Sequence, residues 1–250
     1  MNHRPNKLLG QHFLKPQCSW VTDALVAAAD LQPDDTVLEI GPGRGALTRV
    51  LAKHAGRVIA VEKDSELAEE LQKENIRNVE VIQGDILKVL NEIKEKKYKV
   101  VANIPYYLTA RLIRLLLEQH PQPACIVLTI QKEVAQRIVA TPPHMSLLAL
   151  AVQVYGTPKI IKNVGPECFS PPPNVDSSIL QIIPRQTSFF DQNKIDHEKF
   201  FAVARRAFQQ KRKKLSTSLG IKFPNITEKR PEALSLEEWM RLISLMGQES

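Results

Sequence analysis

Cysteine is scarce. The chain has three in 250 residues, Cys18, Cys125 and Cys168, odd in number, widely spaced and without a CxxC pair. That pattern argues against both a disulfide framework and a zinc site, and it fits a reducing cytoplasm. No run of 18 apolar residues occurs, and Met1 to Gly10 is polar and basic, without the apolar stretch of a secretory leader. A transmembrane span and export are therefore not expected, which leaves a soluble, cytoplasmic protein with no bound metal. Internal repeats and low-complexity tracts are also missing.

What is present is a length and a 43% hydrophobic content sufficient for one sizeable core and a small appendage. Lysine and arginine number 34 against 27 acidic residues, a net charge of +7. Such an excess suits a polyanionic partner, because basic side chains release counterions condensed on phosphate backbones. It equally suits plain solubility or an anionic membrane surface. Charge alone does not choose between them.

Short β-rich apolar runs alternate with helical patterns, the signature of an α/β fold with a parallel sheet and crossover helices. Strands are predicted at Thr36–Ile40, Val58–Glu62, Val79–Gln83, Lys99–Asn103, Cys125–Ile130, Lys159–Val164 and Ser178–Ile183. Helices are predicted at Ala46–His54, Ser65–Gln72, Thr109–Glu118, Lys132–Val139 and Leu147–Val154. These seven strands suit a doubly wound sheet closed by a hairpin edge. After Pro184 the composition turns polar and then helical, so residues 1–185 and 186–250 are expected to form two domains, the second small and helical. Its Phe200, Phe201, Ala204, Ala207, Phe208 and Leu215 fall close to one helical face.

Glu39-Ile-Gly41-Pro-Gly43-Arg-Gly45 follows a predicted strand and precedes a predicted helix, where a nucleotide-binding loop belongs. Glycine lets a backbone approach a ligand without a Cβ clash, but GxGxG with a proline does not match the dinucleotide pattern GxGxxG. Glu62 ends the second strand 21 residues after Gly41, near the offset of a ribose-binding carboxylate. Asp85 ends the third strand, on the same carboxyl edge, where it suits an adenine amino group. Alone, either acid is more often a solvated strand end. Together beside the glycine loop they indicate a nucleoside-containing cofactor.

Asn103-Ile104-Pro105-Tyr106 closes the fourth strand on that edge. The Asn side-chain oxygen and the carbonyl before the proline offer two acceptors to an exocyclic amine, and Tyr106 offers a face on which a base can stack. These motifs, with Gly10-Gln-His-Phe-Leu14, Gln131-Lys-Glu-Val134 and Phe169-Ser-Pro-Pro-Pro-Asn-Val-Asp-Ser177, occur in the order in which they stand in one family. Over roughly residues 7–184 the chain resembles the small-subunit rRNA adenine dimethyltransferases, the KsgA family.

The resemblance implies a Rossmann-like class I methyltransferase domain with a seven-stranded sheet, using S-adenosyl-L-methionine to methylate N6 of adenines in 16S rRNA of the small ribosomal subunit. It implies dimethylation of two adjacent adenosines near the 3′ end and a role in ribosome biogenesis; a monomer is expected. His12 and Leu14 would wrap the cofactor, Gly41 and Gly43 would meet its methionine side, Glu62 the ribose and Asp85 the adenine. Asn103 would bridge cofactor and target amine, with Tyr106 on one face of the base and Phe169 either on the other or in the core.

The chain departs from the family pattern in three places. Position 12 is more usually Asn, residues 141–146 lack the common Tyr-Gly pair, and Asn174 stands where a basic residue is usual. From Lys199 to Lys214 there are seven basic residues and no acidic one, on a segment predicted helical. Arg205, Arg206, Lys211, Arg212, Lys213 and Lys214 are therefore expected to contact RNA, the bland alternative being a solvated helix face.

Competing functions are a large-subunit enzyme of the macrolide-resistance type, which shares the glycine loop and Asn-x-Pro-Tyr, and a non-enzymatic assembly or transcription factor on the same fold. Phe169-Ser-Pro-Pro-Pro and Val175-Asp-Ser177 favour the small-subunit enzyme. A chemically suitable residue at every cofactor position disfavours the second. A small-molecule methyltransferase fits neither the basic charge nor Asn-Ile-Pro-Tyr.

Overall fold

The computed structural model describes residues 10–93, 95–118 and 121–248, so residues 7–9, where the resemblance begins, lie outside the described residues. In chain order the first unit carries β1 (Phe13–Leu14), α1 (Ser19–Ala29), β2 (Thr36–Ile40), α2 (Thr48–His54), β3 (Arg57–Glu62), α3 (Ser65–Lys73), β4 (Val79–Gln83) and α4 (Ile86–Val89). It continues through β5 (Lys99–Asn103), α5 (Thr109–Glu118) and β6 (Cys125–Gln131). After α6 (Lys132–Ile138) and α7 (Leu147–Gln153) come β7 (Gly156–Val164), β8 (Phe169–Ser170) and β9 (Ser177–Pro184).

One seven-stranded sheet has the order β4-β3-β2-β5-β6-β9-β7. The first five of these strands are parallel, and β9 runs antiparallel to β6. The central strands are buried because helices cover a parallel sheet on both faces. Val37, Leu38, Val58, Val100, Val101, Ile126 and Val127 are all fully excluded from solvent. The strand order reverses around β2 and β5, so their carboxyl ends open the crevice in which ligands of such sheets bind.

Helix α1 was not foreseen. Its Val21, Leu25 and Ala29 are buried at helical spacing and pack it over β5, β6 and β9. Asp64 and Asp85 each cap a following helix: the Asp64 carboxylate accepts from the backbone N–H groups of Glu66 and Leu67, and that of Asp85 from Leu87.

Two sequence-based expectations require correction. Cys18 and Cys168 form a disulfide, with Cα atoms 5.4 Å apart and a separation of 150 in sequence, while Cys125 stays a free, buried thiol. Their pairing follows from a two-stranded antiparallel ladder, β1 with β8, and from a bond in which the Lys15 N–H donates to the Cys168 carbonyl at 2.9 Å.

Neither contact has a signature in cysteine spacing. The second correction concerns the domains. The chain divides into one unit running to Ala135 and resuming at Pro158–Pro184, and another made of Gln136–Thr157 with the residues from Arg185 onward. The segment 136–157 goes with the second unit because Met145, Ala149, Leu150 and Val154 belong to its core.

The second unit adds α8 (Phe189–Asn193), α9 (His197–Gln209), α10 (Leu215–Leu219) and α11 (Leu236–Gln248). Phe189, Phe190, Phe200 and Trp239 meet edge to face around fully buried Trp239 and Phe200, the arrangement aromatic quadrupoles favour. Met145, from the atypical loop, is buried there, and its N–H donates to the Glu232 carbonyl at 2.9 Å.

The basic segment is not one helix. Arg205 and Arg206 are exposed on α9, but that helix ends at Gln209 and Lys211, Arg212 and Lys213 lie exposed in a turn. Lys214 caps α10 and pairs with Glu228 at 2.6 Å. Leu215, assigned from its spacing to the face of Phe200, opens α10 instead.

Candidate active site

Every residue selected from sequence for cofactor or catalysis lines one cavity at the carboxyl edge of the sheet: His12, Leu14, Gly41, Gly43, Glu62, Asp85, Asn103, Ile104, Pro105, Tyr106 and Phe169. The selected basic residues all belong to the second unit.

The glycine loop turns as the chain leaves β2. Gly41, Gly43 and Gly45 have φ of 67°, 56° and 72°, a region L side chains rarely enter. At Gly43 space is also decisive, since a Cβ would lie 2.9 Å from the Phe13 ring. Phe13 in turn carries the Arg44 guanidinium 4.8 Å above its ring. The short segment around β1 is thus a wall of the cavity. Gln11 ties it to α3 by donating to the Asp64 carboxylate at 3.0 Å.

Glu62 is 6% exposed, and its two oxygens accept from the Gly43 and Asp64 N–H groups, each at 2.9 Å. Burial raises its pKa, and these backbone donors oppose the rise. Each oxygen keeps a second acceptor site, so the carboxylate can receive two hydroxyls while remaining fixed. Asp85 is held differently: Lys63 donates to it at 2.9 Å and holds its pKa below the usual carboxylate value. A ligand amine at Asp85 therefore shares that carboxylate with Lys63.

At the end of β5 the Asn103 Nδ2 donates to the His12 carbonyl at 3.2 Å, which leaves Oδ1 as the atom available to an acceptor amine. Pro105, at φ −59° and ψ 136°, leads into a single 3-10 turn at Tyr106–Leu108. The Tyr106 hydroxyl is 2.7 Å from the Ser177 hydroxyl on β9, which fixes the ring in the cavity wall. Burial raises the Tyr106 pKa, and the bond to Ser177 works against that rise. Phe169 is 1% exposed and belongs to the core around α1, although it lines the cavity too. Of the two roles left open for it, packing accounts for most of its surface.

One acid escaped selection. Glu39 lines the cavity from β2, is 1% exposed, and its Oε2 has no hydrogen-bond partner among the described residues. Burial pushes its pKa up to about 8, and the nearby Glu62 carboxylate adds to the rise. An acidic residue inside an apolar strand, one position before its end and two before the first glycine of the loop, was the available signal.

The unfolded chain releases this proton near 4.5 and the folded chain near 8, so the folded state is penalised progressively as pH rises between them. Glu39→Gln, which cannot ionise, is expected to gain stability relative to the parent over that window by up to about 5 kcal/mol, with a plateau above it. Thermal unfolding of both proteins from pH 5 to 9 measures the difference; parallel curves would mean that Glu39 does not titrate there.

A parallel five-strand sheet with an antiparallel addition, a glycine loop after β2, an acid ending β3 and another two residues beyond β4 define a Rossmann-like fold of the class I methyltransferase type. The family model described as ribosomal RNA adenine dimethylase matches residues 2–242, and the chain belongs to that family.

"Ribosomal RNA small subunit methyltransferase A" of Dehalococcoides mccartyi is 42% identical over 258 residues, 96% of this chain and 87% of the relative. The protein of the same name from Parasynechococcus marenigrum is 37% identical over 98% of this chain and 88% of its own. Among solved structures, a dimethyladenosine transferase from Plasmodium falciparum superposes with a TM-score of 0.81 at 29% identity, covering 95% of this chain and 98% of that one. The 23S rRNA methyltransferase ErmE gives 0.74 at 26% identity, over 94% of this chain and all of its own.

Proposed function

We propose that this chain transfers methyl groups from S-adenosyl-L-methionine to N6 of adenines in small-subunit rRNA, dimethylating two adjacent adenosines near the 3′ end during ribosome biogenesis. The observation that carries this is the placement of Asn103. Its amide N–H group is committed to the His12 carbonyl, and its oxygen stands on the sheet edge that Glu62 and the glycine loop share.

The residues present fit the cofactor. Glu62 has an acceptor site on each oxygen for the two ribose hydroxyls, Asp85 can accept the adenine amine, and Gly41 and Gly43 leave room for the methionine part. Leu14 supplies apolar wall. When bound, the cofactor supplies an electrophilic methyl carbon on a sulfonium.

The acceptor amine is a poor nucleophile because its lone pair is delocalised into the purine ring. In the first transfer Asn103 Oδ1 and the Ile104 carbonyl would each accept a hydrogen bond from one N6–H, which favours a pyramidal nitrogen with its lone pair toward the methyl group, and in the second the one remaining N6–H would use one of them. Each N–C bond formed breaks the methyl–sulfur bond, and the displaced N6 proton leaves to solvent. Reaching that position requires the base to leave its stack, and Tyr106 receives its face. Holding the nitrogen in line is the main source of acceleration, since positioning alone supplies large rate factors in such displacements.

In the second unit, exposed Arg205, Arg206, Lys211, Arg212 and Lys213 are suited to RNA phosphates, while Lys214 is already paired with Glu228.

Unmethylated small and large subunits, each incubated with the protein and labelled cofactor, test the proposal. Label on adjacent adenines of the small subunit is expected. Label confined to the large subunit, or none on either, would overturn it.

A further inference from the structure

The groups that must converge on one acceptor amine come from two separated segments: Asn103 at the end of β5 with Tyr106 in the turn directly after it, and the proline-rich stretch that follows β8. His12 touches Asn103, Tyr106 and that stretch. Its carbonyl accepts from the Asn103 amide at 3.2 Å. Its imidazole lies beside the Tyr106 ring, with centroids 5.7 Å apart and planes inclined by 27°. Its Nδ1 is 2.7 Å from the Pro171 carbonyl. A carbonyl can only accept, so Nδ1 carries the proton of that bond, and the ring's orientation is thereby fixed.

Among the described residues, these ring contacts lead to the target-base side of the cavity, whereas the glycine loop is met by the neighbouring Phe13. Asparagine, which is more usual at this position, also carries an N–H donor but has no ring to set against Tyr106.

We propose that His12 is a positioning residue for the target adenine, holding the Tyr106 ring and the Pro171 segment in register with Asn103, and that its side chain acts on turnover rather than on cofactor affinity. The inference rests on the function proposed above and gives His12 a place different from the cofactor role that the family resemblance implies.

The test uses the full chain, unmethylated small subunits under single-turnover conditions with saturating S-adenosylmethionine, and calorimetric titration with S-adenosylhomocysteine. His12→Ala is expected to slow methylation about 10–30-fold, the loss of one ring contact and one hydrogen bond, while cofactor affinity stays within about twofold. His12→Asn is expected to recover only part of the rate, because the donor to Pro171 returns without the ring.

In a Tyr106→Ala background, His12→Ala is expected to cost less than about threefold more, since residues acting as one unit are not additive. A residue that merely supported the fold would give full additivity, and that result would overturn the proposal. So would a loss of cofactor affinity in His12→Ala with an undiminished rate at saturation. A parent protein that methylates neither subunit would refute the proposed function itself; an active parent with additive variants refutes the role of His12 alone.

Discussion

Asn103→Ala is expected to leave a folded protein that still binds cofactor and RNA but methylates at least about 100-fold more slowly, since losing an acceptor aimed at the transition state or misplacing a reactant by about 1 Å each costs that much. The size of the effect follows from where the amide sits. Asn103 is the last residue of β5, paired in register with Thr129 of β6, and its Nδ2 is anchored on the His12 carbonyl.

Truncation removes both the acceptor and the anchor. Most of the RNA affinity should survive, because phosphate contacts spread over a protein surface dominate binding of this kind. Tyr106→Phe keeps the ring and loses only the bond to Ser177, so it should retain most activity. Single-turnover methylation, after circular dichroism has verified folding, reads both variants. An Asn103→Ala protein working at the parental rate would remove Asn103 from the mechanism.

Breaking the Cys18–Cys168 bond should produce the largest change in stability. Its partners are 150 residues apart, and in the chain-entropy treatment closing so long a loop contributes up to about 5 kcal/mol by restricting the unfolded chain. For a chain of this size such a loss corresponds to a fall in Tm of ~10 °C or more.

Cys18→Ser and Cys168→Ser are each expected to show that fall without reductant, and reductant should then lower the parent's Tm but not theirs. Thiol titration in denaturant supplies the independent count: of three cysteines, one should react before reduction and three after. In the folded protein Cys125 should be inert, because burial pushes its thiol up to about 11. Three reactive thiols before reduction would show that the bond does not form in solution. The bond lies at the base of the wall carrying His12 and Leu14, so reduction should also weaken cofactor binding more than global stability alone dictates.

The sequence by itself determined the sheet and the position of the site within it. Apolar runs of strand length, buried on both faces of a parallel sheet, cannot be mistaken for amphipathic helices. Gly41, Glu62, Asp85 and Asn103 all fall at strand ends, and the topology of a doubly wound sheet brings consecutive strand ends to one edge. Their spacing along the chain therefore already implied their convergence in space.

What depends on pairing between distant segments was decided only by the tertiary structure. The β1–β8 ladder, which joins Phe13 to Ser170 and Leu14 to Phe169, has strands of two residues each, too short to leave a periodic pattern. That ladder, with the Lys15–Cys168 backbone bond beside it, brings Cys18 to Cys168, and with the His12–Pro171 bond it turns His12 toward Tyr106. The assignment of Gln136–Thr157 to the second unit likewise rests on which core accepts Met145, Ala149, Leu150 and Val154, and hydrophobicity states only that a residue is buried, not against what. The pKa of Glu39 has the same origin: a carboxylate before a glycine loop can be read from the sequence, but its desolvation is a property of everything packed around it.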